Sequence, residues 1–196
     1  DVGGVVDRGA IEAGAALCTS ERAKANPIVG WERGVADGVV EAVVRNGGGA
    51  NCVTGSFGFQ TAHQTAGRAA ELLGVGAGDV LVCSTGLIGT GDDQFRARVL
   101  DGTAQGVASL SADGGDDAAA AIMTTDTVPK TAVRQADGWT IGGMAKGAGM
   151  LAPGLATMLV VITTDAVLDA AQLDAHLRAA TRVSFDRLDS DGCMST

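Results

Sequence analysis

The sequence contains no tyrosine, and aromatic residues make up only 3% of its 196 positions. Its interior therefore has to be built from alanine, valine, leucine and isoleucine, and a hydrophobic content of 46% is sufficient for that. Proline occurs only three times against thirty glycines, which predicts many tight turns and excludes a proline-rich linker. The length fits one domain, or one domain with a small addition.

Positive charge is also scarce, and the formal net charge is −9. This balance argues against binding to nucleic acid or to an anionic membrane, because both require a basic surface. No apolar run reaches the roughly 18 residues of a membrane span, and the start lacks the basic and apolar segments of a secretory signal. We expect a cytoplasmic protein.

The four cysteines, at positions 18, 52, 83 and 193, form no C-x-x-C pair. The sequence therefore favours buried free thiols in a reducing compartment over a zinc site or a disulfide framework, and no metal site is predicted. The two histidines, His63 and His176, fall on the surfaces of predicted helices. Since no Ser/His/Asp order or G-x-S-x-G elbow is present, any nucleophile has to use a base other than histidine.

Apolar runs and helical spacings alternate along the chain, which predicts a mixed α/β fold. Residues 26–29 are expected to be extended, because the residue before Pro27 is pushed out of the helical region. Residues 46–55 are expected to form a glycine-rich loop. The predicted strands are two within 1–19, then 39–44, 79–83, a hairpin of 131–135 with 139–144, and 157–163. The predicted helices are 61–73, 95–110, 116–123 and 169–181.

Residues 142–161 combine a glycine-dense loop that carries Lys146 with an apolar strand that begins at Thr157. Within this stretch, residues 147–152 match the G-x-G-x-x-G/A dinucleotide pattern. A dinucleotide-binding turn must open a helix, however, and here Pro153 and Gly154 interrupt before a predicted strand. We therefore do not interpret this stretch as an NAD site.

Thr157 suggests a different chemistry, because a threonine at a chain N-terminus carries its own base. The free α-amine has a pKa near ~8, so part of it is neutral at pH 7 and can accept the hydroxyl proton. Thr157 is internal and would have to be freed by attack of its hydroxyl on the Ala156 carbonyl. Thr85 and Gly86 could supply oxyanion donors. On the residues alone, the favoured interpretation is a β-branched residue that merely starts a strand.

Residues 142–153, followed by 155–159, resemble the self-cleavage segment of the ornithine acetyltransferase family. These proteins are bifunctional glutamate/ornithine N-acetyltransferases of arginine biosynthesis. Further blocks resemble the family in the same order and extend the likeness over nearly the whole chain: residues 46–51, 83–89, 121–127 and 185–196.

The resemblance implies autocleavage between Ala156 and Thr157. Residues 1–156 would form most of an α-chain, and residues 157–196 the start of a β-chain. Thr157 would be the nucleophile, Thr85 and Gly86 the oxyanion hole, and Thr124 and Lys146, with Thr157, the substrate-binding residues. The resemblance also implies a layered sandwich of β-sheets flanked by helices and an α2β2 heterotetramer.

The implied reaction moves an acetyl group from N-acetylornithine to glutamate without a cofactor, with acetyl-CoA as an alternative donor. Two other functions stay open: an amide hydrolase or aminopeptidase of related self-processing type, and an inactive truncated domain. The chain begins at Asp1 rather than methionine, and we expect it to be a piece of a longer protein. The resemblance places a further substrate-binding glutamate beyond residue 196.

Overall fold

The computed structural model describes residues 2–9, 13–20, 22–154 and 157–193, without the side chains of residues 31 and 33. Within these residues the chain forms two three-stranded sheets and five α-helices. The strands are β1 Val2–Val6, β2 Ala42–Gly49, β3 Val80–Leu87, β4 Lys130–Ala136, β5 Trp139–Lys146 and β6 Leu159–Thr164. The helices are α1 Asn26–Gly34, α2 Gly55–Leu73, α3 Asp93–Ala108, α4 Gly115–Ala121 and α5 Ala170–Val183.

The first sheet has the strand order β1-β2-β3, with β1 antiparallel and β3 parallel to β2. A parallel pair needs a crossover, and α2 provides it between β2 and β3. The helix ends where the sequence predicts, because Gly74 adopts a left-handed φ of 75° and its N–H donates to the Ala70 carbonyl. This crossover places the ends of β2 and β3 at the same edge of the sheet.

The two faces of the first sheet have different partners because side chains alternate along each strand. Ala42 and Val44 of β2 face α2 and pack against Ala69 and Ala70. Arg45, the next residue along β2, faces the opposite way and contacts Met144 of β5. The molecule is therefore layered, with α2 on one face of the first sheet and the second sheet on the other, as the family resemblance implies.

The second sheet is antiparallel in the order β4-β5-β6. The predicted hairpin between β4 and β5 is confirmed, and Gly138 supplies the positive φ of 85° that its turn requires. Met144 of β5 packs with Ala119 of α4 and with Ile122, the residue that follows the helix, so this short helix is held against the inner face of β5. No helix in the described ranges is both long and apolar enough to cross a lipid bilayer.

Three local predictions are wrong for physical reasons. Residues 26–29 are not extended, because Pro27 lies in the first turn of α1, where its missing N–H costs no hydrogen bond. The loop expected from residue 46 begins only after Gly49, because β2 stays paired with β3 to that point. Of the two strands predicted within 1–19, β1 forms, whereas Ala13 makes only an isolated bridge to Val39.

The cysteines are free thiols as predicted, although only two of them are buried, Cys52 and Cys83. Burial raises the pKa of Cys83 to about 12, so this residue is a neutral thiol at physiological pH.

A buried arginine lies between the two sheets. Arg45 is only 1% exposed. Its Nη2 donates a hydrogen bond to the Met144 sulfur at 3.0 Å. Its Nε and Nη1 donate to no acceptor in the described part of the chain. Burial lowers the pKa of Arg45, and the neighbouring Cys83 offers no anion to compensate the guanidinium. A buried charge in this state is destabilising.

We therefore predict that Arg45→Met in the full-length natural protein raises the midpoint of thermal unfolding. Removal of a poorly compensated buried charge is worth about 1–4 kcal/mol, which corresponds to a few degrees at this size. Arg134→Met, at an exposed position of β4, is the matched control and should change the midpoint little. A lower midpoint for Arg45→Met would show that the guanidinium has a compensating partner.

Candidate active site

The structure brings Lys146 and Thr85 together at the junction of the two sheets. Lys146 is the last residue of β5, and its Nζ donates to Oγ1 of Thr85 on β3 at 2.9 Å. The two residues are 61 positions apart in sequence and are only 5% and 7% exposed. A hydrogen bond between two of the sequence-predicted site residues therefore links the sheets.

The ammonium group of Lys146 uses only one of its hydrogen-bond donors in the part of the chain that the structure describes. Burial lowers its pKa, the nearby Asp126 carboxylate raises it, and Lys130 lowers it. An ammonium has three N–H donors, and the bond to Thr85 is the one that it makes within the described ranges. A ligand carboxylate could accept the others.

Asp126 joins two segments of the candidate site. Its carboxylate accepts hydrogen bonds from the N–H of Gly147 at 2.8 Å and from the N–H of Thr124 at 3.4 Å, and it pairs with Lys130. Burial alone would raise the pKa of Asp126. The hydrogen bonds from Lys130, Gly147 and Thr124, with the charge of Lys130, outweigh that effect and lower it to about 2. Asp126 is therefore ionised whenever the protein is folded near neutral pH.

Gly86 pairs with Gly48 across β2 and β3 and leaves no room for a side chain there. Its φ is 129°, and a Cβ added there would lie 2.5 Å from the carbonyl carbon of Gly48 and 2.8 Å from the nitrogen of Gly49. Only glycine fits this approach without moving backbone. The predicted oxyanion segment and the predicted glycine-rich segment 46–51 are thus two sides of one strand pair.

Asn46 secures the other side of this pair. The residue is buried, its Oδ1 accepts from the Ser84 hydroxyl at 2.7 Å, and its Nδ2 donates to the Gly49 carbonyl at 3.4 Å. The side chain therefore links the Ser84 hydroxyl of β3, just before Thr85, to the backbone of β2 at Gly49.

Thr157 lies beside the residue that follows Lys146. Gly147 has a φ of 152°, and a Cβ added there would be 3.3 Å from the Thr157 carbonyl oxygen and 3.1 Å from Cβ of Met158. The N–H of Thr157 donates to the carbonyl of Met150 at 2.8 Å, and Thr157 is partly buried. Ala156, and with it the predicted scissile bond, lies outside the described residues.

The segment between Gly147 and Thr157 is also held from the C-terminal side. The Asp191 carboxylate accepts from the N–H of Met150 at 2.9 Å, and the N–H of Ser190 donates to the Leu151 carbonyl at 2.9 Å. Residues after α5 thus fix the loop that precedes the predicted nucleophile.

The predicted site residues that the structure describes form one connected set. Lys146 contacts Thr85, Thr124 and Gly147 both bind Asp126, and Gly147 lies against Thr157. Their catalytic roles stay predictions. Sequence reasoning missed Asp126, although the residue lies within the segment 121–127 that resembles the family.

Two further features of the sequence, the dinucleotide pattern and the two histidines, play no part in this set of residues. Residues 147–152 open no helix, so the dinucleotide pattern is a coincidence of glycines, as expected. His63 and His176 are exposed on α2 and α5, as predicted.

A model of the ArgJ family matches residues 1–196. The chain belongs to the ArgJ family. It is 58% identical over 196 residues to the arginine biosynthesis bifunctional protein ArgJ of Streptomyces coelicolor, and 55% identical to that of Thermobifida fusca. All of this chain and 51% of each relative are covered, so the chain spans about half the length of the curated relatives that it matches.

Two crystal structures share the fold. The ornithine acetyltransferase of Mycobacterium tuberculosis, solved as a complex with ornithine, is 41% identical, with a TM-score of 0.72 over 80% of this chain and 82% of that chain. The arginine biosynthesis bifunctional protein ArgJ of Bacillus halodurans is 30% identical, with a TM-score of 0.67 over 81% and 83%.

We predict that alanine is tolerated far less at position 86 than three residues further along. Gly86→Ala forces β2 and β3 apart and should cost about 3 kcal/mol or more. Gly89 also has a positive φ, of 75°, but an added Cβ meets nothing there, so Gly89→Ala should cost only about 1 kcal/mol. Thermal unfolding of both variants measures the difference, and equal midpoints would contradict the close approach described above.

A second prediction concerns acid stability. Because the folded-state pKa of Asp126 lies near 2, below its ordinary 3.8, its stabilising contribution is present above pH 3.8 and is lost as the pH falls towards 2. Asp126→Asn should therefore lower the free energy of unfolding by about 2 kcal/mol at pH 7. The gap in thermal midpoint between the two proteins should narrow below about pH 4. A gap that stays constant with pH would contradict the assignment.

Proposed function

We propose that the full-length protein carrying this chain is an acyltransferase of arginine biosynthesis, which moves an acetyl group from N-acetylornithine to glutamate. The observation that carries the proposal is the buried contact between Lys146 and Thr85, with Thr157 next to the residue that follows Lys146. The proposal is supported by the proximity of Lys146, Thr85 and the Thr157 backbone, to which we assign the roles of carboxylate-binding cation, hydroxyl donor and nucleophile. Membership of the ArgJ family supports the same reaction.

The first step is self-cleavage. The Thr157 hydroxyl oxygen attacks the carbonyl carbon of Ala156, the peptide C–N bond breaks, and an ester forms while the α-amine of Thr157 takes a proton. Water then hydrolyses the ester, which leaves a carboxylate on Ala156 and restores the hydroxyl. The products are a fragment that ends at 156 and one that begins at Thr157. The α-amine freed in this way serves as the base in the transfer.

The transfer proceeds in two halves. In the first, the Thr157 hydroxyl attacks the acetyl carbonyl of N-acetylornithine, the amide C–N bond breaks, and ornithine leaves with the proton relayed by the α-amine. In the second, the amine of glutamate attacks the acetyl ester, and N-acetylglutamate leaves as the Thr157 hydroxyl is restored. No cofactor enters either half, and acetyl-CoA is an alternative source of the acetyl group.

Thr85 and Gly86 stabilise the oxyanion that forms in each step. The Thr85 oxygen accepts from Lys146, which leaves the hydroxyl hydrogen free to donate to the developing negative charge. Such a donor is worth ~10²–10³ in rate. The close approach at Gly86 holds this segment rigidly against β2, as preorganised stabilisation requires.

Lys146 and Thr124 bind the amino-acid substrates. A buried ammonium with unused donors is a strong site for the carboxylate that both substrates carry. Thr124 is exposed, and its backbone is fixed by Asp126, so its hydroxyl is available to a ligand. In the complete protein we expect two copies each of the fragments divided at 156/157, assembled as an α2β2 heterotetramer in the cytoplasm.

Substitution of the nucleophile tests the mechanism. Thr157→Ala in the full-length protein should remain a single chain and transfer no acetyl group, since the attacking oxygen is absent. Thr157→Ser keeps a hydroxyl and should still be cleaved, at a reduced rate. Intact mass and N-acetylglutamate formation are the measurements, and two fragments from Thr157→Ala would refute self-cleavage by this residue.

The acceptor distinguishes transfer from hydrolysis. Ornithine release from N-acetylornithine should rise with the glutamate concentration and be matched by equimolar N-acetylglutamate. Release of ornithine with free acetate, at a rate independent of glutamate, would instead identify an amide hydrolase.

A further inference from the structure

We propose that Asp126 is a positioning residue for substrate binding, which ties the Thr124 segment to Gly147 so that the groups binding the substrate carboxylate converge. This inference rests on the proposed function and assigns a role to a residue that touches no substrate itself. The structural basis is a single carboxylate that bonds both segments at once.

Both oxygens of this carboxylate are used. Oδ2 accepts from the N–H of Thr124, and Oδ1 accepts from the N–H of Gly147, 21 residues later. Gly147 lies between Lys146 and the contact with Thr157, so Asp126 fixes the backbone between the cation and the nucleophile. The side chain of Asp126 is 1% exposed, and this burial makes the two bonds costly to lose.

The ion pair with Lys130 is one of three contacts to this carboxylate and does not by itself join the two segments. The Lys130 side chain is 45% exposed, which weakens the contribution of the ion pair to stability. The two backbone N–H groups are fixed donors and need an acceptor on each side. An asparagine has only one acceptor oxygen, so its NH₂ group would face one of these N–H groups.

The charge of Asp126 also acts on Lys146, and this provides a signature separate from stability. The groups around Lys146 are Asp126 and Lys130 from the segment before and into β4, and the Thr85 hydroxyl from β3. Cys83, a neutral thiol, lies two residues before Thr85 on the same face of the first sheet. Arg45 is its partner on β2. The freed α-amine of Thr157 joins them after cleavage. Among these groups Asp126 raises the pKa of Lys146, whereas burial and Lys130 lower it.

Substitutions of Asp126 and Lys130 should therefore shift the alkaline limit of substrate binding in opposite directions. Asp126→Asn removes the anion that raises the pKa of Lys146, so substrate binding should be lost at a lower pH. Lys130→Met removes the cation that lowers this pKa and keeps both backbone bonds to Asp126, so binding should be lost at a higher pH. Titration of the substrate amines is common to all variants and cancels in the comparison.

The matched control is Asp165→Asn. Asp165 stands in a second Thr-Thr-Asp sequence and accepts a backbone N–H from Thr140, but it is exposed and remote from Lys146. Asp165→Asn therefore makes the same change from carboxylate to amide at a residue that accepts a backbone N–H but does not join the segments of Thr124 and Gly147.

The experiment uses the full-length protein and its Asp126→Asn, Lys130→Met and Asp165→Asn variants. KM and kcat for N-acetylornithine are measured across pH, together with the Kd for ornithine by calorimetry. Asp126→Asn should raise KM and Kd about tenfold or more, the scale of one charge-assisted bond, with a smaller change in kcat. Its alkaline limit should move opposite to that of Lys130→Met, and Asp165→Asn should match the parent.

The inference is overturned if Asp126→Asn leaves KM and Kd unchanged, or if the variants at 126 and 130 move the alkaline limit in the same direction. If Asp126→Asn does not fold, the shift in Lys130→Met decides alone, and no shift there contradicts the charge network. A parent protein that binds ornithine but transfers no acetyl group would refute the proposed function, while the Kd values would still test Asp126.

Discussion

The hydrogen bond between Lys146 and Thr85 is the constraint on which the rest of the candidate site depends. It puts a charged group between the two sheets. An apolar side chain at this position would avoid the free-energy cost of removing a charge from water. Within the described ranges, the ammonium makes its one hydrogen bond to a neutral hydroxyl, while the Asp126 carboxylate is near enough to act on its charge. That arrangement is understandable if a ligand anion supplies the remaining acceptors, and for this reason we propose that the substrate binds at the junction of the sheets.

Two glycines allow the backbone segments at this junction to lie close together. At Gly86 the backbones of β2 and β3 leave no room for a Cβ, and at Gly147 the loop after β5 presses against Thr157. Both residues have positive φ values, of 129° and 152°, that other residues rarely adopt. Two glycines therefore lie where backbone approaches backbone: Gly86 between β2 and β3, and Gly147 beside the proposed nucleophile.

The sequence predicts the elements whose signals are local and misses those set by tertiary contacts. The helix that ends at Gly74 and the hairpin at Gly138 follow from their own residues, and both are confirmed. The continuation of β2 to Gly49 depends on pairing with β3, which no local pattern encodes. Lys146 and Thr85 were named through family resemblance, whereas Asp126 was missed because its partner Gly147 is 21 residues away. Buried Arg45 gave no signal, since a lone arginine in a strand reads as a surface residue.

The most direct test of the account is the mass of the enzyme caught between its two half-reactions. The full-length protein is incubated with N-acetylornithine in the absence of glutamate, quenched in acid, and its fragments are mapped by mass spectrometry. We predict one acetyl group, on the hydroxyl of the fragment that begins at Thr157, and its disappearance when glutamate is added. N-acetylglutamate formed by a protein that is uncleaved, or acetylated at another residue, would contradict the central role of Thr157.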